Sequence, residues 1–208
     1  MPSHKIHICV GEKIKEKYKF SDLFLLGCVI PDLCTTTHFK SHFKITHSDY
    51  DINKFINKYN LDNEILIGYL VHLLTDVYYN DYVINNYFLF DENQMLCGVK
   101  MKDKDYYCNP DEACDIKQTD FTNYDYYLLN NRLVPKLKNI SLDNLPIVDE
   151  CMYEVEYLKS YIEYHNNEVE NKINNDIIFN IFTKEELDNL FNDCTNYISE
   201  FLTKYITL

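Results

Sequence analysis

Glu64-Ile-Leu-Ile-Gly-Tyr-Leu-Val-His-Leu-Leu-Thr-Asp-Val-Tyr-Tyr79 sets His72 and Asp76 four residues apart in an otherwise apolar stretch. Positions i and i+4 of a helix share a face. An imidazole and a carboxylate therefore converge, while Leu66, Leu70, Leu73, Leu74 and Val77 fill the other sides. A helix of this kind is central and buried, and the pair on it reads as metal chemistry. Gly68, one turn before His72, costs about 1 kcal/mol in helix propensity relative to alanine, which predicts that another segment approaches the backbone there.

The rest of the composition agrees with a helical domain. Only 4 Gly and 5 Pro among 208 residues favour helices joined by modest loops, so the expected fold class is all-α, as one domain over residues 1–208. A formal charge of -13 repels polyanions and anionic surfaces, and no basic stripe is visible, which argues against duplex nucleic acid as a partner. The 8 cysteines include no CxxC pair, so neither a zinc ribbon nor a redox dithiol is suggested, and mostly reduced thiols are expected. Met1-Pro-Ser-His-Lys lacks the apolar core of a leader, and no apolar run reaches the ~20 residues of a transmembrane segment. A cytoplasmic location is the expectation; the oligomeric state is left open.

Outward from the central stretch, residues 5–18 alternate apolar and charged groups at helical spacing and carry His7 near their start, with His4 close by. Ser21 and Asp22 open a second apolar segment that must stop at Pro31, presenting Asp32 at a helix end. His38, His42 and His47 crowd one loop-like run. A capping box over 48–51 and the sequence Asn60-Leu-Asp are read as the starts of the next two helices. After Phe90 the periodicity fails, and 91–120 is expected to be an insertion or lid. Helical patterns return over 121–137. A long helix introduced by Pro146 carries the stripe Val148, Met152, Val155, Leu158, Ile162, Val169, Ile173 with His165 on it, and a last helix is capped by Thr183 and Glu186.

His7, Asp32, His42, His72 and Asp76 form the candidate ligand set. Imidazoles with carboxylates and no thiolate suit Zn²⁺ or another divalent first-row ion, and such mixed sets are typical of hydrolytic sites. HExxH and an adjacent His-Asp dipeptide are both absent, which sets aside zincin proteases and HD-type phosphohydrolases.

Through Ile6-His-Ile-Cys-Val-Gly-Glu-Lys13, Gly27-Cys-Val-Ile-Pro-Asp32, Lys40-Ser-His-Phe43 and Gly68-Tyr-Leu-Val-His-Leu-Leu-Thr-Asp76, in that order, the chain resembles the zinc-dependent phospholipase C family. The resemblance covers roughly the first 90 residues. It implies a helical domain in which Asp32, His42, His72 and Asp76 form one metal site, with His7 helping to bind a second ion bridged by Asp76. The family's further histidines and glutamate after the helical His-xxx-Asp have no match in Val77-Tyr-Tyr-Asn-Asp-Tyr-Val83, so one or two ions are expected, with His165 a conceivable substitute ligand. The implied activity is hydrolysis of a small phosphate mono- or diester by metal-activated water, with Asp32 orienting or deprotonating that water. Two alternatives stand beside it: a non-catalytic helical scaffold that keeps a structural metal, and a nuclease-type phosphodiesterase, which the charge disfavours.

Overall fold

The central stretch forms α5, Glu64–Asn86, whose start is capped by the Asn63 side chain accepting from the N–H groups of Ile65 and Leu66. The computed structural model describes residues 2–46, 48–171 and 176–206. Every residue of α5 from Ile65 to Asp76 is buried, and it packs against α1 (His4–Tyr18), α2 (Asp22–Gly27), α4 (Ile52–Lys58) and α8 (Lys184–Leu202). The segment that approaches Gly68 is α2. A Cβ on Gly68 would lie 2.1 Å from the Phe24 carbonyl oxygen, and one on Gly27 would lie 2.1 Å from that of Ile65. The two helices cross backbone to backbone at a pair of glycines, which brings the turn after α2 onto the His72 face of α5.

That turn is a single 3₁₀ turn, Ile30–Leu33, holding Asp32. The second apolar segment stops at Gly27, ahead of Pro31, and the proline sits inside the 3₁₀ turn, whose first turn needs no proline N–H. A four-residue helix α3, His38–Ser41, follows, and Tyr69 of α5 donates its hydroxyl to the Ser41 carbonyl, tying the histidine-rich run to the central helix. The caps fall a little later than the sequence suggested: Asp51 caps α4, and Asn63 caps α5.

The all-α expectation needs correction. The fold is mainly helical with a small antiparallel sheet in the order β1 (Phe88–Phe90), β2 (Leu96–Lys100), β3 (Asp105–Tyr107). Stretch 91–120 is accordingly not an irregular lid. Its first part completes this sheet, and its last part opens α6, Pro110–Asn130, with Asn109 as cap and proline at the first helical position. The helical pattern read over 121–137 ends at Asn130. The helix after Pro146 begins only at Val155 (α7, Val155–Glu170), because Val148 and Cys151 form an isolated β-bridge and Cys151 is tied by a disulfide to Cys34. Met152 of the expected stripe is exposed, and Ile173 lies outside the described residues. The other six cysteines are free. The capping box of Thr183 and Glu186 is present at the start of α8. Among the described residues no helix is long and apolar enough to cross a membrane.

Candidate metal centre

Four elements deliver the predicted ligands to one point. His72 and Asp76 come from α5, Asp32 from the 3₁₀ turn, His42 from the end of α3 and His7 from α1; His7, His42, His72 and Asp76 are fully buried. The two central imidazoles are oriented by carbonyl groups. His72 Nδ1 is 2.8 Å from the Cys28 oxygen, and His42 Nδ1 is 2.9 Å from the His38 oxygen. A carbonyl only accepts, so each Nδ1 carries the proton and each Nε2 turns its lone pair inward. Those two lone pairs meet at 3.0 Å.

The carboxylates close the same figure. Asp32 Oδ1 lies 3.0 Å from His42 Nε2 and 3.8 Å from His72 Nε2, while Asp76 Oδ2 lies 3.5 Å from both. A tetrahedral ion with bonds of about 2.0–2.1 Å needs ligand–ligand edges near 3.3–3.4 Å, and the edges of the group His42, His72 and Asp76, at 3.0–3.5 Å, lie around that value. With both imidazoles neutral in these tautomers, the inward lone pairs and carboxylate oxygens repel one another unless a cation sits between them. The outer carboxylate oxygens face further imidazoles: Asp76 Oδ1 is 3.3 Å from His7 Nε2, and Asp32 Oδ2 is 3.3 Å from His4 Nε2. Neither ring nitrogen of His7 and neither oxygen of Asp76 has a hydrogen-bond partner, although all four atoms are buried. Buried polar atoms are rarely left so, and the donor set is the one that divalent first-row ions take. The residues fit a metal ion.

Electrostatics agree. Burial opposes ionisation of Asp76, but His72, His7 and His42 around it hold the carboxyl down to about 2. Asp32 is likewise held well below the usual carboxylate range against its burial, by His72 and then His4 and His42. Burial, followed by the neighbouring His7, pushes His72 down to about 3, so its ring is neutral at pH 7 and free to ligate.

The remaining histidines separate. His38 stacks on His42 with ring centroids 3.6 Å apart and is half-exposed, its Nε2 4.0 Å from Asp32 Oδ1, so it stands at the rim and forms with Asp32 and His42 an outer group of convergent donors. His165 is no substitute ligand: it is buried beside the Tyr161 ring with its Nε2 bonded to the Pro135 carbonyl at 2.9 Å, outside every group of convergent donors found among the described residues. His47 lies outside the described residues. A cavity of about 410 Å³ opens on the outer side of Asp32, lined by Pro2, Ser3, His4, Lys5, Asp32, Gln118 and Asp125. Of stretch 91–120, Gln118 alone reaches this cavity. Sequence reasoning missed Asp125, and no signal in Asn123-Tyr-Asp-Tyr-Tyr127 would have found it, since only the packing of α6 against the N-terminus brings it there.

Comparisons of the chain with protein-family models, with curated proteins and with solved structures return no match.

Proposed function

We propose that the protein is a metal-dependent hydrolase of small phosphoric esters. The observation that carries this reading is the convergence of His42 Nε2, His72 Nε2 and Asp76 Oδ2, with Asp32 Oδ1 against both imidazoles, next to an open polar cavity. Those four residues would hold one ion, and His7 with the outer oxygen of Asp76 would contribute to a second; zinc suits the donors best. Bound there, the ion supplies Lewis acidity, lowering the pKa of water toward about 7 and neutralising charge on the phosphoryl oxygens.

The chain's own groups do the rest. Asp32 is the one carboxylate of the cage that borders the cavity, so it is placed to orient the attacking water and take its proton, while His4 steadies its outer oxygen. The carbonyl groups of Cys28 and His38 keep the cage imidazoles fixed during the reaction. The cavity walls are polar and the chain carries -13, which favours a small soluble ester over a polyanion.

A second reading has an observation in its favour. Were Asp32 to join His42, His72 and Asp76 on one ion, four protein donors would fill a tetrahedral sphere, and filled spheres are typical of structural metals. Access through the cavity at Asp32 favours the hydrolytic reading, and activity decides. Zinc-loaded protein is expected to cleave at least one member of a phosphomonoester and phosphodiester panel. Tight zinc binding with no turnover across the panel would leave the structural metal. On location, the Cys34–Cys151 disulfide fits an oxidising compartment better than the reducing cytoplasm.

A further inference from the structure

The cavity beside Asp32 holds a second carboxyl that the metal cage does not use. Asp125 of α6 is 9 % exposed, lies outside every group of convergent metal donors among the described residues, and accepts a hydrogen bond from the Ser3 hydroxyl at Oδ1. The Ser3 oxygen in turn accepts from the Ile6 N–H as the cap of α1, so its own proton is committed to Oδ1. A proton carried by Asp125 would then sit on Oδ2. The neighbouring cation offsets this group only in part, because the Lys5 ammonium is paired with Glu168 of α7. Of the other polar walls, Gln118 has no acidic proton and His4 rests on Asp32.

We propose that Asp125 is the general acid of this centre, giving its proton to the leaving oxygen of the ester bound in the cavity it shares with Asp32. This rests on the hydrolase reading above. Water forms the new P–O bond and passes a proton to Asp32. The bond from phosphorus to the alcohol breaks with its electron pair on the alcohol oxygen, and that oxygen takes the proton of Asp125. Alcohol and phosphate leave, and proton exchange with solvent resets both carboxyls.

The surroundings support a carboxyl that is protonated when needed. Burial pushes Asp125 up to about 7, against the opposing pull of Ser3, Lys5 and His4 and with the aid of Glu168. The other titratable groups facing it are Cys9 on α1, Tyr79 on α5 and Tyr161 on α7, all of which stay neutral near pH 7 because burial raises their pKa values.

The test compares zinc-loaded wild type and Asp125→Asn on an alkyl phosphate ester and on the corresponding nitrophenyl ester. A poor leaving group needs the acid and a good one does not. The variant is therefore expected to lose about 100-fold on the alkyl ester and under about threefold on the nitrophenyl ester, with zinc content and melting temperature retained. The wild-type rate on the alkyl ester should fall as pH rises through the neutral range, a limb absent with the nitrophenyl ester. Equal losses on both esters, or no loss on either, would overturn the proposal. Should Asp125→Asn not fold, the two wild-type pH profiles decide, and identical profiles would overturn it. A readout independent of turnover is the carboxyl-carbon NMR titration of Asp125 in metal-free protein, with a midpoint near neutrality expected and one near 4 contrary. Wild type inactive on both esters would instead remove the hydrolase reading on which this one rests.

Discussion

Asp76 and Asp120 are both fully buried helical carboxylates, and they could hardly be treated more differently. Asp120, on α6, receives four hydrogen bonds: from the backbone N–H groups of Asn180, Ile181 and Phe182 and from the Asn180 amide, at 2.7–3.0 Å. Its charge is matched by the chain that leads into α8. Asp76, on α5, receives none, and its oxygens face imidazole nitrogens instead. A buried charge is retained only when paired, hydrogen-bonded or bound to metal. Asp120 is satisfied by the backbone of its own chain, whereas Asp76 is left with imidazoles around a point where a cation could sit.

Removing the carboxylates one at a time is the strongest way to break this comparison. Asp76→Asn should abolish stable zinc binding and lower ester hydrolysis by roughly 10³-fold or more. In chelator its melting temperature should hold or rise, because an unmatched buried charge has gone. Asp120→Ala should do the reverse. It leaves buried N–H groups unpaired and is expected to destabilise by about 3–5 kcal/mol, or roughly 10 °C in melting temperature, with and without zinc, while zinc affinity in the folded protein is unchanged. Equal stability losses for both variants in chelator would mean that Asp76 is satisfied in a way the geometry does not show.

Acid sharpens the picture without mutation of the cage. Burial pushes His165 down to about 4, below its ordinary 6.5, so the folded state binds its proton less readily than the unfolded state does. Its contribution to stability is fully present above pH 6.5 and is lost as pH falls from there toward about 4. Thermal melts of metal-free protein should fall over that window, and His165→Gln should flatten the dependence without altering zinc affinity at pH 7. An unchanged slope would contradict the assignment. The smallest effect is expected at the rim: His38→Ala should change zinc affinity by less than about tenfold, below the range for groups that orient a ligand. A larger loss would make His38 a ligand.

How much of this could be read in advance follows from the kind of signal each region carries. His72 and Asp76 were legible because helical spacing alone places both on one face, and Gly68 because its cost demands a close neighbour, which proves to be α2 at Gly27. The sheet was not. Its strands are three to five residues long, too short to show a period of two. The turn between the first pair rests on Asp91 Oδ1 accepting from the N–H groups of Asn93 and Met95, with no glycine to announce it. The start of α6 was written in the sequence and passed over, since Asn109-Pro-Asp-Glu112 is a cap, a first-turn proline and two acidic residues in order. Asp120 and Asp125 could not be singled out at all, because their partners lie 60 or more residues away.

Whether the convergent acceptors on α5, the 3₁₀ turn and α3 hold a metal ion is decided by equilibrium dialysis of metal-free protein against zinc at neutral pH. About one ion per chain or more is expected, held through repeated dialysis against metal-free buffer and accompanied by a raised melting temperature. Retention of less than a few tenths of an ion per chain with no thermal shift would contradict it.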